Sequence, residues 1–110
     1  MNWITLDSEE KIDEIKQNSR QSPQVIFKHS TRCSISSMAK SRLERATPPE
    51  GIAFYYLDLI AHRNVSNKVA EVFDVSHESP QVLIIKNGSC VYDESHSGID
   101  MDEIAGQTAA

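Results

Sequence analysis

The stretch His29-Ser30-Thr31-Arg32-Cys33-Ser34-Ile35-Ser36 sets one thiol among four hydroxyls, an imidazole and a guanidinium. Immediately before it, Val25-Ile26-Phe27 is a short apolar run of the kind that makes a buried strand. After it, Ile35, Met38, Ala39, Arg42, Leu43 and Ala46 recur at three- and four-residue steps, the spacing of one helix face. Cys33 therefore falls where a strand hands over to a helix. The first N–H groups of a helix have no internal partner, and with the helix dipole they favour an anion, here a thiolate. The hydroxyls of Ser30, Thr31, Ser34 and Ser36 can cap that helix or donate to the sulfur.

In Cys33-Ser34-Ile35-Ser36 a serine stands three residues after the thiol, where a two-cysteine exchanger would carry its second sulfur. A single thiol can attack a disulfide but cannot close one on itself, so it stops at a mixed disulfide and waits for another thiol. For any such thiol, lowering the pKa from about 8.5 to about 6 raises the thiolate fraction at pH 7 roughly 30-fold. The weaker nucleophile gives back roughly 13-fold at a Brønsted slope of about 0.45, so the larger gain lies in its quality as a leaving group. Arg32 can stabilise that thiolate or meet a carboxylate of a small thiol, or be a solvated arginine at a helix start. Ser36 lies within reach of the sulfur as a donor, or caps the helix; Thr31 is expected as an N-side cap.

The second thiol, Cys90, follows the hairpin signal Asn87-Gly88. That turn should lie at the far end of its strand, some 15–20 Å from the Cys33 end, beyond the roughly 7 Å Cα limit of a disulfide. Cys90 thus reads as a small buried or edge residue. His29, His77 and His96 are expected at the reactive end, each available as an acid/base group or merely solvated; Ser97-Gly98 should border the site, with the glycine admitting a bound thiol.

The elements that position these groups follow from local signals. Trp3–Leu6 reads as a first strand; Asp7 with Glu10 resembles a capping box for a helix that ends near Asn18. Ser22-Pro23 precedes a second strand, Gln24–Lys28, and Pro48-Pro49 stops the Cys33 helix. The nearly continuous apolar run Ile52–Leu57 predicts a strand covered on both faces. Asn64 is the expected cap of a third helix, with Val65, Val69, Val72 and Phe73 on one side. Gln81–Lys86 and Cys90–Glu94 form the hairpin, Asp100 caps a helix over Met101–Ala105, and residues 106–110 are expected to fray. The order βαβαβαββα predicts one α/β domain over residues 1–110, a mixed sheet with helices on both faces.

Composition narrows the partners. The 110 residues are 39% hydrophobic and 25% charged with a net charge of −5, and they lack the Lys/Arg run that would track a nucleic-acid backbone. No stretch approaches the roughly 18 apolar residues of a membrane helix. The first residues show neither a basic start nor an apolar core of an export signal, so a reducing cytoplasm with free thiols is expected. Two cysteines and scattered histidines give no zinc-type spacing, and no bound metal or cofactor is expected.

The element order resembles the thioredoxin fold, with Cys33 starting the helix after the second strand and Ser79-Pro80 just before the fourth. More narrowly, the chain is similar to the YtxJ family of monothiol bacilliredoxins. The resemblance is carried by Phe27-Lys28-His29-Ser30-Thr31-Arg32-Cys33, Ile35-Ser36-Ser37-Met38, Leu57-Asp58, Arg63-Asn64-Val65-Ser66-Asn67 and His77-Glu78-Ser79-Pro80-Gln81-Val82, in that order over nearly the whole length. The family pattern commonly has proline after the cysteine; this chain has Ser34. The resemblance implies a cis Pro80 beside the sulfur of Cys33, and a site of Cys33 as nucleophile with Thr31, Arg32, Ser34, Ser36, Ser79 and Pro80 stabilising the thiolate or binding substrate. It implies reduction of protein mixed disulfides, with bacillithiol, a cysteinyl sugar thiol, as co-substrate. Glutathione or coenzyme A in that place, a redox-inactive binding module on the same scaffold, and a sensor thiolated at Cys33 all remain compatible with the residues.

Overall fold

The computed structural model describes residues 1–109. Its elements are β1 (Trp3–Thr5), α1 (Glu9–Asn18), β2 (Gln24–His29), α2 (Ser34–Arg45), β3 (Ala53–Asp58), α3 (Arg63–Phe73), β4 (Gln81–Lys86), β5 (Ser89–Ser95), a 3-10 turn (His96–Gly98) and α4 (Met101–Thr108). The strands form one sheet in the order β1-β3-β2-β4-β5. β1 and β2 run parallel to β3; β4 is antiparallel to β2, and β5 to β4. This is the mixed sheet that the element order predicts.

β2 is central and every one of its residues is buried. Side chains alternate across a sheet, so consecutive residues of β2 serve different cores. Ile26 joins Leu57, Leu83 and the Ile12 and Val69 side chains of α1 and α3. Val25 and Phe27 join Phe54, Ile84, Leu43 of α2 and Ile104 of α4. The sheet is thereby covered on both faces, as the apolar run in β3 predicts. Asn87 and Gly88, both at positive φ (50° and 81°), close the β4–β5 hairpin.

Several local expectations are corrected. The buried stripe of α2 is Ser36, Ala39 and Leu43, while Ile35 and Met38 are 54% and 63% exposed. Apolar spacing alone places the face a third of a turn off, because a buried serine with hydrogen-bond partners carries one of the inward positions. Asp7 caps nothing: Ser8 is the N-cap of α1 without a side-chain bond, and Asp7 pairs with Lys11 at 3.0 Å. Asn64 lies inside α3, whose N-cap is His62, and its amide donates to Glu9 at 3.2 Å. The last helix continues to Thr108, which is buried and donates its hydroxyl to the Ile104 carbonyl at 2.9 Å; of the tail expected to fray, Ala110 lies outside the described residues.

Candidate active site

The chain leaves β2 at His29 and makes a turn, with the Cys33 N–H donating to the Ser30 carbonyl at 3.2 Å. Cys33 is the N-cap of α2 in extended conformation (φ −112°, ψ 122°), and its carbonyl accepts the first helical bond from Ser37 N–H at 3.0 Å. The thiol is half-buried and free. Helix start and access to solvent are both as the sequence requires of a reactive thiol.

Ser36, fully buried, accepts the Ser30 N–H at 3.0 Å and lies 2.7 Å from His29 Nδ1. The hydroxyl expected to face the sulfur is thus engaged by the strand end beneath it. Ser36 pins the turn to the helix. His29 is itself buried, its ring stacked on Phe27 at 5.9 Å with Tyr56 tilted against it at 5.6 Å. Burial is the main reason its pKa lies below 6.5; Lys40 adds to the depression, opposed by Asp58 and Glu44. The imidazole is neutral at pH 7, with one proton to place on either nitrogen.

Thr31 and Arg32 project into solvent from the turn, so Thr31 is not the cap: Cys33 takes that place, without a side-chain cap bond of its own. Ser34 is exposed at the first helical position. Pro80 is buried and the Ser79–Pro80 peptide is cis. Lys28 pairs in register with Gln81, which sets His29 beside Pro80, and the Pro80 carbonyl accepts the His96 N–H at 3.0 Å. Ser79 Oγ is buried with no protein partner among the described residues.

The other expected neighbours divide. His96 and Ser97 face Ile35 and Met38 at the start of α2. Gly98 has a different reason from the one expected: a Cβ there would meet the Glu94 side chain at 2.5 Å. His77 lies on the other face of the sheet, its Nδ1 3.4 Å from Lys28 Nζ. Cys90 is on that face too, packed against the α1/α3 core, with Sγ donating to the Tyr92 carbonyl at 3.3 Å. Its strand partner Ile85 lies four residues from Gln81, about 13 Å along β4.

Two features escape sequence reading. Lys28, at a strand end, is fully buried, and desolvation pulls its ammonium down from 10.5 to about 8, partly offset by Cys90. Arg42 donates to the His96 and Ile99 carbonyls at 3.3 and 3.2 Å, tying α2 to the 3-10 turn. The alternation of β2 is a signal for Lys28; Arg42 lies on the helix stripe the spacing marks, but its carbonyl partners are distant in sequence.

A single accessible thiol at the N-terminus of α2, beside a cis-proline loop on a five-stranded mixed sheet, defines a thioredoxin-fold thiol–disulfide oxidoreductase. Solved structures agree on the fold. One is a protein with a thioredoxin fold, 29% identical, covering 94% of this chain and 90% of its own at a TM-score of 0.77. The thioredoxin of Malassezia sympodialis (17% identity, 99% and 92% covered, TM-score 0.77) and that of Fasciola hepatica (15%, 96% and 98%, TM-score 0.74) superpose over nearly their whole lengths. The sequence model of the family described as monothiol bacilliredoxin BrxC matches residues 4–104. The chain belongs to that monothiol bacilliredoxin family.

Proposed function

We propose that this protein removes bacillithiol from protein mixed disulfides through a Cys33 mixed-disulfide intermediate, in the cytoplasm. The Cys33 thiolate attacks the bacillithiol sulfur of a protein–S–S–bacillithiol bond. The protein sulfur leaves as a thiolate and takes a proton from solvent, and Cys33 keeps the bacillithiol. A second bacillithiol thiolate then attacks the bacillithiol sulfur of that adduct, releasing the Cys33 thiolate and bacillithiol disulfide. Each cycle exchanges one S–S bond for another: the protein mixed disulfide and one free bacillithiol become a protein thiol and bacillithiol disulfide.

One observation carries the reading: the position that would hold a resolving thiol is filled by the buried Ser36 hydroxyl, fixed by His29 and Ser30. Cys90, the other cysteine, lies on the opposite face near the far turn. Nothing within reach can resolve the adduct, so a thiol from solution must. With the His29 proton on Nδ1, the imidazole and the Ser30 N–H both donate to Ser36 Oγ. Held this way, Ser36 fixes the turn that carries Cys33 against the start of the helix.

The test mixes the purified protein with a bacillithiolated model protein and follows intact masses. Loss of the adduct from the substrate with its appearance on Cys33, cleared by added bacillithiol, is the expected result. A substrate that stays modified while Cys33 stays free overturns the proposal.

A further inference from the structure

Four side chains of α2, Ile35, Met38, Arg42 and Arg45, fall at steps of three and four on one face, and that face is outward. Beside it the surface is hollowed. A groove of about 380 Å³ is lined by Ser37, Met38, Ser41, Arg42 and Arg45. A second hollow, sharing Met38 and Arg42, extends past Ile35 to His96 and Ser97. The first is of the size of small-molecule sites, roughly 300–1,000 Å³. It begins one turn from Cys33.

The lining is cationic in a chain of net charge −5. Among the described residues, the ion pairs are Lys11–Asp7, Lys40–Glu44 and Lys68–Glu71, so Arg42 and Arg45 have no carboxylate partner. Glu44, on the same helix, is held by Lys40 and by the Trp3 indole, away from the groove lining. Arg42 is oriented by the His96 and Ile99 carbonyls through one terminal nitrogen, which leaves the rest of its donor fork unassigned.

Resting on the reading above, we infer that this groove is the seat of the small thiol, whose carboxylates meet Arg42 and Arg45 and whose hydroxyls meet Ser37 and Ser41 while its sulfur is joined to Cys33. Reach supports that occupant. Arg42 and Arg45 follow Cys33 by about 14 and 18 Å along the axis. Long helical side chains lean back over the preceding turn, which brings each guanidinium about 5 Å nearer the sulfur. A thiol with a carboxylate about 8–13 Å from its sulfur spans the gap. An exposed Met38 supplies an apolar wall between the two ends.

The test needs no bacillithiol. In a Cys90→Ser background, Cys33 is loaded with 2-thiopyridine, and an attacking thiol replaces it with release of coloured 2-thiopyridone. Rates are measured with 8-mercaptooctanoate, whose chain carries a carboxylate across that span, and with the uncharged 8-mercapto-1-octanol of equal length, and their ratio is divided by the same ratio on free dithiodipyridine. The normalised ratio should exceed one by several fold. Arg45→Glu should lower it about fivefold, the upper range for one exposed ion pair, and 0.5 M salt should flatten it. Arg20→Glu, beside Gly88 at the far end of the sheet, should leave it unchanged. A ratio of one in the wild type, or one unmoved by Arg45→Glu, overturns the assignment. So does a variant that slows exchange with a protein disulfide alone, which would give the groove to the protein partner. A ratio that behaves as expected, with no transfer from the bacillithiolated protein, keeps the groove and rejects bacillithiol as the thiol.

Discussion

Lys28 and His29 are neighbours at the end of β2, both buried, both titratable, and turned to opposite faces of the sheet. Each face also carries one cysteine: Cys33 above the His29 side, Cys90 against the Lys28 side. On the α2 side the polar group is answered, with Ser36 at 2.7 Å and flat rings around the imidazole. On the α1/α3 side the ammonium meets one ring nitrogen at 3.4 Å, and the Cys90 thiol offsets only part of its desolvation. Burial depresses the pKa of both groups. The outcomes differ, because a neutral imidazole needs only a hydroxyl, whereas an ammonium in an apolar layer needs a counter-charge. One face holds an assembled polar site and the other a buried charge that costs stability.

The sharpest way to break this comparison is at the sulfurs. Cys33→Ala should abolish mixed-disulfide transfer, by more than about 1,000-fold, since no other group on the α2 face can form the covalent intermediate. Adduct formation by intact mass reads this directly. Residual transfer within tenfold of wild type would move the chemistry to the other face.

Next in size is Lys28→Met, which replaces the charge by a chain of similar length. A pKa lowered from 10.5 to about 8 corresponds to on the order of 3 kcal/mol set against the folded state at neutral pH. Between those two values the unfolded chain keeps a proton that the folded chain has released. Wild-type stability therefore gains from this group as pH rises from about 8 toward 10.5. The variant should be more stable by about 1–3 kcal/mol at pH 7, and the difference should shrink as pH approaches 10.5. Urea unfolding at pH 7 and pH 9.5 measures it. A variant less stable at pH 7 would show that His77 answers the charge after all.

His29→Phe and Ser36→Ala probe the satisfied side and should act alike. Either leaves a buried polar group without its partner, at about 1–2 kcal/mol, and loosens the turn that carries Cys33, so transfer should fall about tenfold. The double variant should fall little further, because the two residues act as one unit. His29 also sets an acid limit. Its folded pKa lies below 6.5, so its contribution is complete above that pH and is lost as pH falls below it, since the unfolded chain takes up the proton first. Lys40 and Glu44 on α2 and Asp58 and Tyr56 on β3 face the ring and will colour that profile. Unfolding curves of His29→Phe should lack this acid slope. Additive losses would separate the pair.

Much of this arrangement was legible before any coordinates, because its determinants are local. Pro23, Pro48, Pro49 and the Asn87-Gly88 turn punctuate the chain, and the apolar runs between them read as strands. Cys33 at a strand–helix junction is equally local. The inward face of α2 was not legible: Ser36 is buried because His29 and the Ser30 N–H meet it, and that pairing exists only once β2 lies beneath the helix. Lys28 misleads for the converse reason. A charge at a strand end reads as a solvent boundary, yet the register with Gln81 and Leu57 carries β2 one residue further under cover. Helix caps failed where a charged or amide side chain found a longer-range partner, as Asp7 did in Lys11 and Asn64 in Glu9.

The smallest expected effect belongs to Cys90→Ser. Burial raises this thiol's pKa by more than its backbone contacts at Tyr92 and Ile84 lower it, and its hydrogen bond goes to the Tyr92 carbonyl. At neutral pH it is therefore protonated, poorly nucleophilic and on the wrong face. Serine should keep the bond to Tyr92 but place a more polar group against the α1/α3 core, for a loss of about 1 kcal/mol. Transfer should change less than twofold. Because the variant touches only the Lys28 side, it is also the control on which the contrast between faces rests. A tenfold loss of transfer would mean that the two sulfurs communicate across β4, and the monothiol cycle would have to be rewritten as a two-thiol one.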